Sequence, residues 1–193
     1  MYNGNIVSWA HIRDIYNLNN DPLKLKLIPK LTKAHINPKM FQKMKVKLTV
    51  QVLSRSVHTA IHVYVGMNKI PSSAIHTADF VETMDKLFDS FNSTNLGKDK
   101  FRFRYAMTSD SVHVSFLLNV LSQLDNWRFV DCMRQPACLQ GWKISIQSLL
   151  NLFHEMSSEY NIPKLRTRFL SQDAIAYYKT AAWLQYQSIC ISS

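Results

Sequence analysis

Apolar residues recur along most of this chain with the period of an α-helix. Within 5–18 they return about every three or four positions and so line one face, which is the pattern of an amphipathic helix. The same spacing predicts helices over 77–91, 111–125 and about 143–160, and a last helical segment over 170–187. Only four glycines and six prolines interrupt the chain, so turn signals are sparse. The pattern therefore predicts a mainly α-helical fold, arranged like a helix bundle, with few or no β-strands.

The longest apolar pattern runs from Pro38 to Tyr64. Pro38 follows Asn37, and proline is favoured at the first position of a helix. After Val46 the segment is apolar nearly all round, as in a helix buried at the centre of a domain. We therefore expect one long central helix here, with a strand as the alternative because many of the residues are β-branched.

Charge is spread unevenly over the 193 residues. The chain is 47% hydrophobic and 19% charged, which suits one domain with a sizeable core and excludes a disordered chain. Its net charge of +10 indicates an anionic partner such as nucleic acid, a nucleotide or an acidic protein, or else a generally basic surface. The lysines crowd into one stretch, which favours a local binding site. They are Lys24, Lys26, Lys30, Lys33, Lys39, Lys43, Lys45 and Lys47.

Several classes of site lack support in the sequence. The cysteines are three in number, and the spacing of Cys132 and Cys138 matches no common zinc pattern, so we expect reduced thiols. His58 and His62 stand four apart on the predicted long helix and are either half of a metal site or ordinary surface or core histidines. No GxSxG, HExxH, CxxC or P-loop motif occurs. We therefore expect no catalytic residue and no metal ligand.

The sequence also bears on the location of the protein. It contains no apolar run of about 18 residues, so it predicts no transmembrane helix. The N-terminal stretch MYNGNIVSWAHI lacks the basic and apolar regions of a signal peptide. We expect an intracellular, soluble protein with no membrane partner.

The stretch LFDSFNS places Asp89 and Asn92 three positions apart at the end of a predicted helix, so both side chains face the same way. A carboxylate can accept a pair of hydrogen bonds from N1–H and N2–H₂ of guanine, an amide can add another, and Phe88 can pack on the base. Lysines of 24–47 and Ser54 can meet phosphates. By spacing alone, this nucleotide site competes with an ordinary amphipathic helix that ends in a polar cap.

A second basic stretch, KDKFRFRY (98–105), alternates aromatic and cationic residues. Such alternation suits stacking on bases beside phosphate contacts. An exposed loop or edge strand is the other interpretation. The stretch motivates an alternative function, a basic helical module that binds nucleic acid or protein without GTP.

Four segments together resemble P-element-type transposases and their THAP-domain relatives, and the resemblance spans nearly the whole chain. In that family this region is a mostly helical GTP-binding domain inserted into a catalytic domain of RNase H-like fold. GTP acts there as a structural cofactor that helps assemble the transposase on DNA. The segments are GNIVSWAHI (4–12), PKLTKAHINPKMFQKMKVKLTVQVLSRSV (29–57), TADFVETMDKLFDSFNS (77–93) and LRTRFLSQDAIAYY (165–178).

The resemblance implies a GTP site built from eight residues. Guanine contacts would fall on Asp89 and Asn92, with Phe88 beside them and Asp173 as a second acidic contact. The other four residues are Lys30, Lys45 and Ser54 on the phosphate side and Val46 as a backbone or packing contact. The resemblance further implies DNA as a partner of the basic surface, self-association as in the parent transposase, and a nuclear location.

The sequence departs from the family pattern near its C-terminus. The catalytic glutamate of the family lies three residues after the aspartate of the QD motif, and here that position is Ala176. Alanine cannot hold a divalent metal ion, so the resemblance implies no enzyme activity in transposition. We expect residues 1–169 to form the GTP-binding insertion domain and residues 170–193 to be a diverged remnant of the return into the catalytic domain. On this interpretation the chain is an excised or truncated, catalytically inactive module.

Overall fold

The computed structural model describes residues 1–21, 26–94, 102–130, 132, 134 and 136–170. Within them the regular elements are α-helices and short 3-10 turns, and the bridges Tyr2–Asn5 and Met107–Leu165 are isolated pairs rather than strands. This confirms the mainly α-helical fold class. The α-helices are α1 (Trp9–Asn19), α2 (Lys33–Ile36), α3 (Val46–Val52), α4 (Arg55–Gly66), α5 (Ala74–Phe91), α6 (Val112–Gln123) and α7 (Ala137–Ser158). The 3-10 turns are Met40–Gln42, Arg102–Arg104, Leu124–Asn126 and Thr167–Phe169.

An antiparallel hairpin of α4 and α5 lies at the centre of the fold. After α4 the chain reverses because Asn68 adopts a positive φ of 54°, a conformation that asparagine tolerates. The Lys69 N–H closes the turn on the Tyr64 carbonyl at 2.9 Å. Farther along the hairpin, His58 Nδ1 donates to the Ala78 carbonyl at 3.1 Å. The helical spacing of α5 puts its apolar residues on the stripe that meets α4. The buried residues of α5 are Ala74, Thr77, Ala78, Val81, Met84, Leu87, Ser90 and Phe91.

The prediction of one long helix over 38–64 is wrong, and so is the alternative of a strand. A 3-10 turn, α3 and α4 occupy this segment, and the chain is extended at Ser54 (φ −126°, ψ 155°). The Ser54 Oγ donates to the Gln51 carbonyl at 2.8 Å and so satisfies one acceptor at the end of α3. The break before α4 lets Val52 and Leu53, 0% and 8% exposed, both be buried.

Helix α1 is fixed at both of its ends. The Ser8 Oγ accepts a hydrogen bond from the Ala10 N–H at 3.2 Å, and this cap starts the helix later than the predicted 5–18. At the other end Asn19 is 1% exposed. Its amide donates to the Ile28 carbonyl at 2.9 Å and accepts from the Ile28 N–H at 2.8 Å. The Asn19 side chain thus pairs with both the N–H and the carbonyl of Ile28 and links this residue to the end of α1.

Helices α6 and α7 complete the described core. The Phe91 and Trp142 rings meet edge to face at 5.8 Å and join α7 to α5. Met107 and Leu165 exchange two backbone hydrogen bonds, at 2.8 and 2.9 Å, and so return the chain after α7 to the segment before α6. The predicted start of α7 at about 143 is wrong because Gly141 does not break the helix. Gly141 is buried inside α7.

The predicted helix over 170–187 lies, apart from Leu170, outside the described residues. Among the described helices, none combines the length and the apolar character that crossing a membrane requires.

Candidate functional site

The last turn of α5 carries three of the predicted site residues. Asp89 Oδ2 accepts a hydrogen bond from Arg104 Nε at 3.1 Å, and the two side chains are 13% and 50% exposed. Asn92 is the residue that ends the helix, and its Nδ2 donates to the Phe88 carbonyl at 3.0 Å. Phe88 is half-buried and packs against the hydrophobic core. The carboxylate and the amide therefore stand side by side at a helix end, with an aromatic ring next to them.

Arg104 reaches Asp89 because the chain after α5 folds back on it. The Thr94 N–H donates to the Arg104 carbonyl at 3.1 Å. Phe103, beside Arg104, packs its ring 4.8 Å from Phe116 of α6. Residues 102–105 of KDKFRFRY are described, and Arg102–Arg104 form a 3-10 turn in which Phe103 faces the protein. Phe103 is therefore not placed for the stacking on bases that the stretch suggested. Arg104, which the sequence indicated only as a phosphate contact, is instead the ion-pair partner of Asp89.

The 3-10 turn Thr167–Phe169 is held against the same end of α5. Thr167 Oγ1 donates to the Ser90 carbonyl at 2.6 Å and accepts from the Ser93 N–H at 3.0 Å. The Thr167 N–H donates to Ser93 Oγ at 3.2 Å. All three residues are at most 1% exposed. We call these contacts the Thr167–Ser93 latch. No sequence signal identified it, because it joins two small polar residues far apart in the chain.

The latch holds the turn Thr167–Phe169 against the end of α5, the helix end that also bears Asp89 and Asn92. Asp173, the predicted second acid, lies outside the described residues, as does Ala176. The sequence places only Ser171 and Gln172 between Leu170 and Asp173.

The four predicted phosphate-side residues lie on the segments around α2, α3 and α4. Lys30 is exposed in the turn before α2, and Lys45 is exposed immediately before α3. Val46 is the first residue of α3 and is half-buried. Ser54 is the residue preceding α4, but its hydroxyl hydrogen is engaged by the Gln51 carbonyl.

Two side chains that the sequence did not single out hold these segments together. His35 Nδ1 accepts a hydrogen bond from the Thr32 N–H at 3.0 Å, so the neutral ring carries its proton on Nε2. That Nε2 donates to Gln51 Oε1 at 3.0 Å. His35 is 2% exposed. The turn that carries Lys30 is thus linked through His35 to Gln51 and on to Ser54.

Charges show how α4 lies along α5. Burial raises the pKa of Glu82. Interactions with Lys86, His58 and Arg55 lower this pKa by more, so it lies below its usual value. Arg55 is the first residue of α4, so the start of α4 faces the middle of α5 at Glu82. Seven residues of helix separate Glu82 from Asp89, an axial distance of about 10 Å.

The described residues also contain an apolar cavity, which does not suit a nucleotide. Its volume is about 40 Å³, and its lining includes Trp9, Val52, Phe80, Met84 and Phe129. A nucleotide base and its phosphates need polar partners, and this lining offers almost none. The cavity is separate from the end of α5.

Histidine and carboxylate side chains give no metal centre in the described part of the chain. His58 and His62 do meet, with ring centroids 4.6 Å apart. No third histidine, cysteine or carboxylate joins them there. His58 instead links α4 to α5 through its hydrogen bond to the Ala78 carbonyl.

Comparisons with known proteins agree with the resemblance seen in the sequence. A family model described as "TNP-like, GTP-binding insertion domain" matches residues 1–104. The transposable element P transposase of Drosophila melanogaster is 23% identical over 176 residues, which are 91% of this chain and 23% of the transposase. A chain of the Drosophila P element transposase strand transfer complex matches with a TM-score of 0.79 at 19% identity, over 95% of this chain and 46% of that one. At this identity the structural likeness shows the fold alone.

The chain spans about a quarter of the length of the curated transposase and about half of the solved chain. The family model covers more than half of the residues, including the turn with Asp89 and Asn92. The chain therefore belongs to the family of TNP-like GTP-binding insertion domains found in P-element-type transposases.

Proposed function

We propose that this protein is a guanine-nucleotide-binding helical module of a P-element-like DNA transposase, with GTP as a structural cofactor. The observation that carries the proposal is the family match over 1–104, which contains a carboxylate and an amide side by side at the end of α5. The donors and acceptors there fit a guanine edge.

Asp89 reads the base in this proposal. Guanine presents N1–H and N2–H₂ on one edge, and a carboxylate can accept both. Arg104 occupies one acceptor position of Oδ2. An ionised carboxylate has about four such positions, so base and guanidinium can share Asp89. Asn92 adds an amide next to it, and Phe88 supplies an apolar surface for the ring.

Asp173 is the second acidic contact in the proposal, and the latch supports this. The Thr167–Ser93 latch holds the preceding turn against the helix end that bears Asp89. In the sequence, Asp173 follows Leu170 by three positions.

Lys30, Lys45, Ser54 and Val46 form the phosphate side. The start of α4 lies within about 10 Å, along the helix axis, of the level of Asp89. Exposed ammonium groups attract phosphates with little desolvation cost, and the Ser54 hydroxyl can turn from the Gln51 carbonyl towards a phosphate oxygen. The residues of this side come from three separate segments, which the His35–Gln51 bond holds together.

The module binds GTP without hydrolysing it and performs no strand transfer in this proposal. The family match shows an insertion domain rather than a catalytic domain. Hydrolysis needs a positioned water and charge stabilisation at the γ-phosphate, and no motif in the sequence supplies them. Ala176 cannot serve as a metal ligand where the family has its catalytic glutamate. We place the boundary with the catalytic-domain remnant at 169/170 and the protein in the nucleus, as a domesticated transposon product of the THAP-related type.

A nucleotide-dependent shift in melting temperature tests the proposal. A ligand that binds only the folded state stabilises it by about 2.7 kcal/mol at a concentration of 100 Kd. We expect GTP and GDP to raise Tm and ATP at the same concentration to leave it unchanged. Equal shifts with ATP would contradict base recognition, and no shift with any guanine nucleotide would contradict binding altogether.

An alternative is a basic helical module that binds nucleic acid or protein without GTP. Its specific support is the exposed basic surface before α3. The stretch KDKFRFRY gives less support, since Phe103 faces inward. Salt-dependent DNA binding by a protein that gives no shift with GTP would favour this alternative.

A further inference from the structure

His58 and His62 place two imidazole rings side by side on α4. His58 is half-buried and His62 is exposed, and their ring centroids are 4.6 Å apart. The rings meet because positions four apart on a helix lie one above the other on the same face. Two histidines at this spacing can bind one divalent metal ion from a single helix. The proposed GTP site uses neither of them.

The hydrogen bond of His58 determines which of its ring nitrogens a metal ion can reach. The Ala78 carbonyl can only accept, so His58 Nδ1 carries the proton that it donates over 3.1 Å. In the neutral ring, Nε2 then bears the lone pair and is the atom that can bind a metal ion. Histidines that bind metal ions generally donate their other N–H in this way, often to a backbone carbonyl, and the bond holds the ring in place. The ring of His58 is therefore oriented before any ion binds.

The separation of the two rings agrees with a shared metal ion. An ion about 2.1 Å from one nitrogen of each ring lies roughly 3.2 Å from each ring centroid. Two such bonds at about 90–110° to each other put the centroids roughly 4.5–5.2 Å apart. The observed 4.6 Å lies within this range. His62 is exposed, so its ring can turn to present a nitrogen without displacing core atoms.

The protein contributes two ligands here and not three. Glu82 on α5 interacts electrostatically with His58, but its carboxylate binds Lys86 at 2.9 Å. Within the described residues, no set of three His, Cys, Asp or Glu side chains is placed to hold a metal ion. A closed structural centre, which has four protein ligands, is thereby excluded for this part of the chain. A two-ligand chelate is not, because it leaves its remaining positions to water.

We propose that His58 and His62 chelate a divalent transition-metal ion, with Zn²⁺ as the probe that tests it. Imidazole nitrogen suits Zn²⁺, Cu²⁺ and Ni²⁺, whereas Mg²⁺ prefers oxygen ligands. Cu²⁺ should bind more tightly than Zn²⁺, as it does at nitrogen sites in general. The ion joins two successive turns of α4 and so stabilises that helix. This site stands on the geometry of the two rings and does not depend on GTP binding.

Calorimetric titration with ZnCl₂ in nucleotide-free buffer measures the affinity. His62→Gln removes one ligand from an exposed position and should weaken binding about tenfold or more, because the second bond of a chelate forms within one molecule. His58→Asn should weaken binding by a similar factor. The asparagine amide can still donate to the Ala78 carbonyl, but it offers no nitrogen lone pair in place of Nε2. Zn²⁺ should raise the Tm of the parent and leave the Tm of His62→Gln unchanged.

Matched variants control for other groups that bind zinc. His154→Gln changes an exposed histidine of α7 and should keep the zinc affinity within about twofold. Thiols are the other strong class of zinc ligand. Cys132→Ser with Cys190→Ser removes the two cysteines other than the buried Cys138, and this variant should also keep the parental affinity. MgCl₂ should give no shift in Tm in the nucleotide-free parent.

Nitrogen-15 NMR of the imidazole rings identifies the bound atoms. Zn²⁺ should move the resonance of His58 Nε2 in the parent and leave Nδ1 protonated. Three results would overturn the proposal. These are an unchanged zinc affinity in His62→Gln, loss of binding in the double cysteine variant, or a His58 Nε2 resonance that does not respond to saturating Zn²⁺.

Discussion

Arg104 donates from Nε to Asp89 Oδ2 at 3.1 Å and so joins the turn after α5 to the last turn of that helix. This pair ties the proposed base-reading carboxylate to a residue fifteen positions away. Arg104 is 50% exposed, so the pair contributes little to stability, about 0–1 kcal/mol. The pair instead orients the Asp89 carboxylate, because the guanidinium holds Oδ2 while the other oxygen can face a ligand.

Replacement of Asp89 by asparagine should weaken guanine binding. The change exchanges an anionic acceptor for an amide of nearly the same shape. Loss of a charged hydrogen bond costs about 1.5–3 kcal/mol, or roughly one to two decades in Kd. A titration with a fluorescent GTP analogue measures the effect. Asp85→Asn, one turn earlier on the same helix, is the matched control and should bind like the parent, and Arg104→Gln should stay within about threefold because it leaves the carboxylate in place.

The two substitutions separate the roles of the ion pair. If Arg104→Gln loses as much affinity as Asp89→Asn, the guanidinium and not the carboxylate governs the site, and Asp89 does not read the base. If Asp85→Asn weakens GTP binding as much as Asp89→Asn does, the affinity depends on the general negative charge of α5 and not on Asp89 in particular.

Replacement of Thr167 by valine should break the Thr167–Ser93 latch without changing the shape of the side chain. The Ser90 carbonyl and the Ser93 N–H would lose their partner in a buried place, which costs about 1–3 kcal/mol in the free energy of unfolding. Urea denaturation measures the loss.

Two further variants make the latch test specific. Thr59→Val changes an exposed threonine of α4 and should alter stability by no more than about 0.5 kcal/mol. Thr167→Ser keeps the hydroxyl and should recover most of the lost stability. Equal stability of Thr167→Val and Thr59→Val would show that the latch is not formed in solution.

Stability should decline as the pH falls below 6.5 because of His113. Burial lowers the pKa of His113 from its ordinary value of 6.5, although its bond to the Phe103 carbonyl acts in the opposite direction. The unfolded chain then binds the proton more readily than the folded one. The stabilisation is complete above the unfolded pKa and is lost as the pH falls, by up to about 1.4 kcal/mol per pH unit for one histidine. His11, whose pKa is also lowered by burial, adds to the same trend.

Urea unfolding at several pH values between about 5 and 8 measures this dependence. His113→Gln should be less stable than the parent at neutral pH but should show a shallower decline, because one titrating group is gone. His154→Gln alters an exposed histidine of α7 and should keep the parental decline. Parallel curves for the parent and His113→Gln would exclude His113 as the cause.

Cys138 should resist alkylation in the folded protein. It is 4% exposed, and burial raises the pKa of its thiol to about 11, so the reactive thiolate is scarce. Cys132 is half-buried and should react first. Iodoacetamide labelling with mass spectrometry of the separate peptides measures both rates. Reaction of Cys138 at the rate of Cys132, without unfolding, would contradict the described burial.

The amino-acid sequence by itself determined the helical class and the local placement of the proposed base-reading groups. Helical spacing of apolar residues is a local property, so α1, α5, α6 and α7 could be predicted with errors only at their ends. Asp89 and Asn92 share a turn because they lie three positions apart, and that too needs no tertiary contact.

Tertiary packing decided where helices break and which distant groups meet. The apolar pattern over 38–64 predicts one continuous helix, yet the chain is extended at Ser54, between α3 and α4, and the adjacent Val52 and Leu53 are both buried in the core. Contacts such as Arg104 with Asp89, and Thr167 with Ser93, join residues that no periodic pattern relates. Those pairings arise from the global path of the chain, since each buried polar group must find a partner wherever the fold places one.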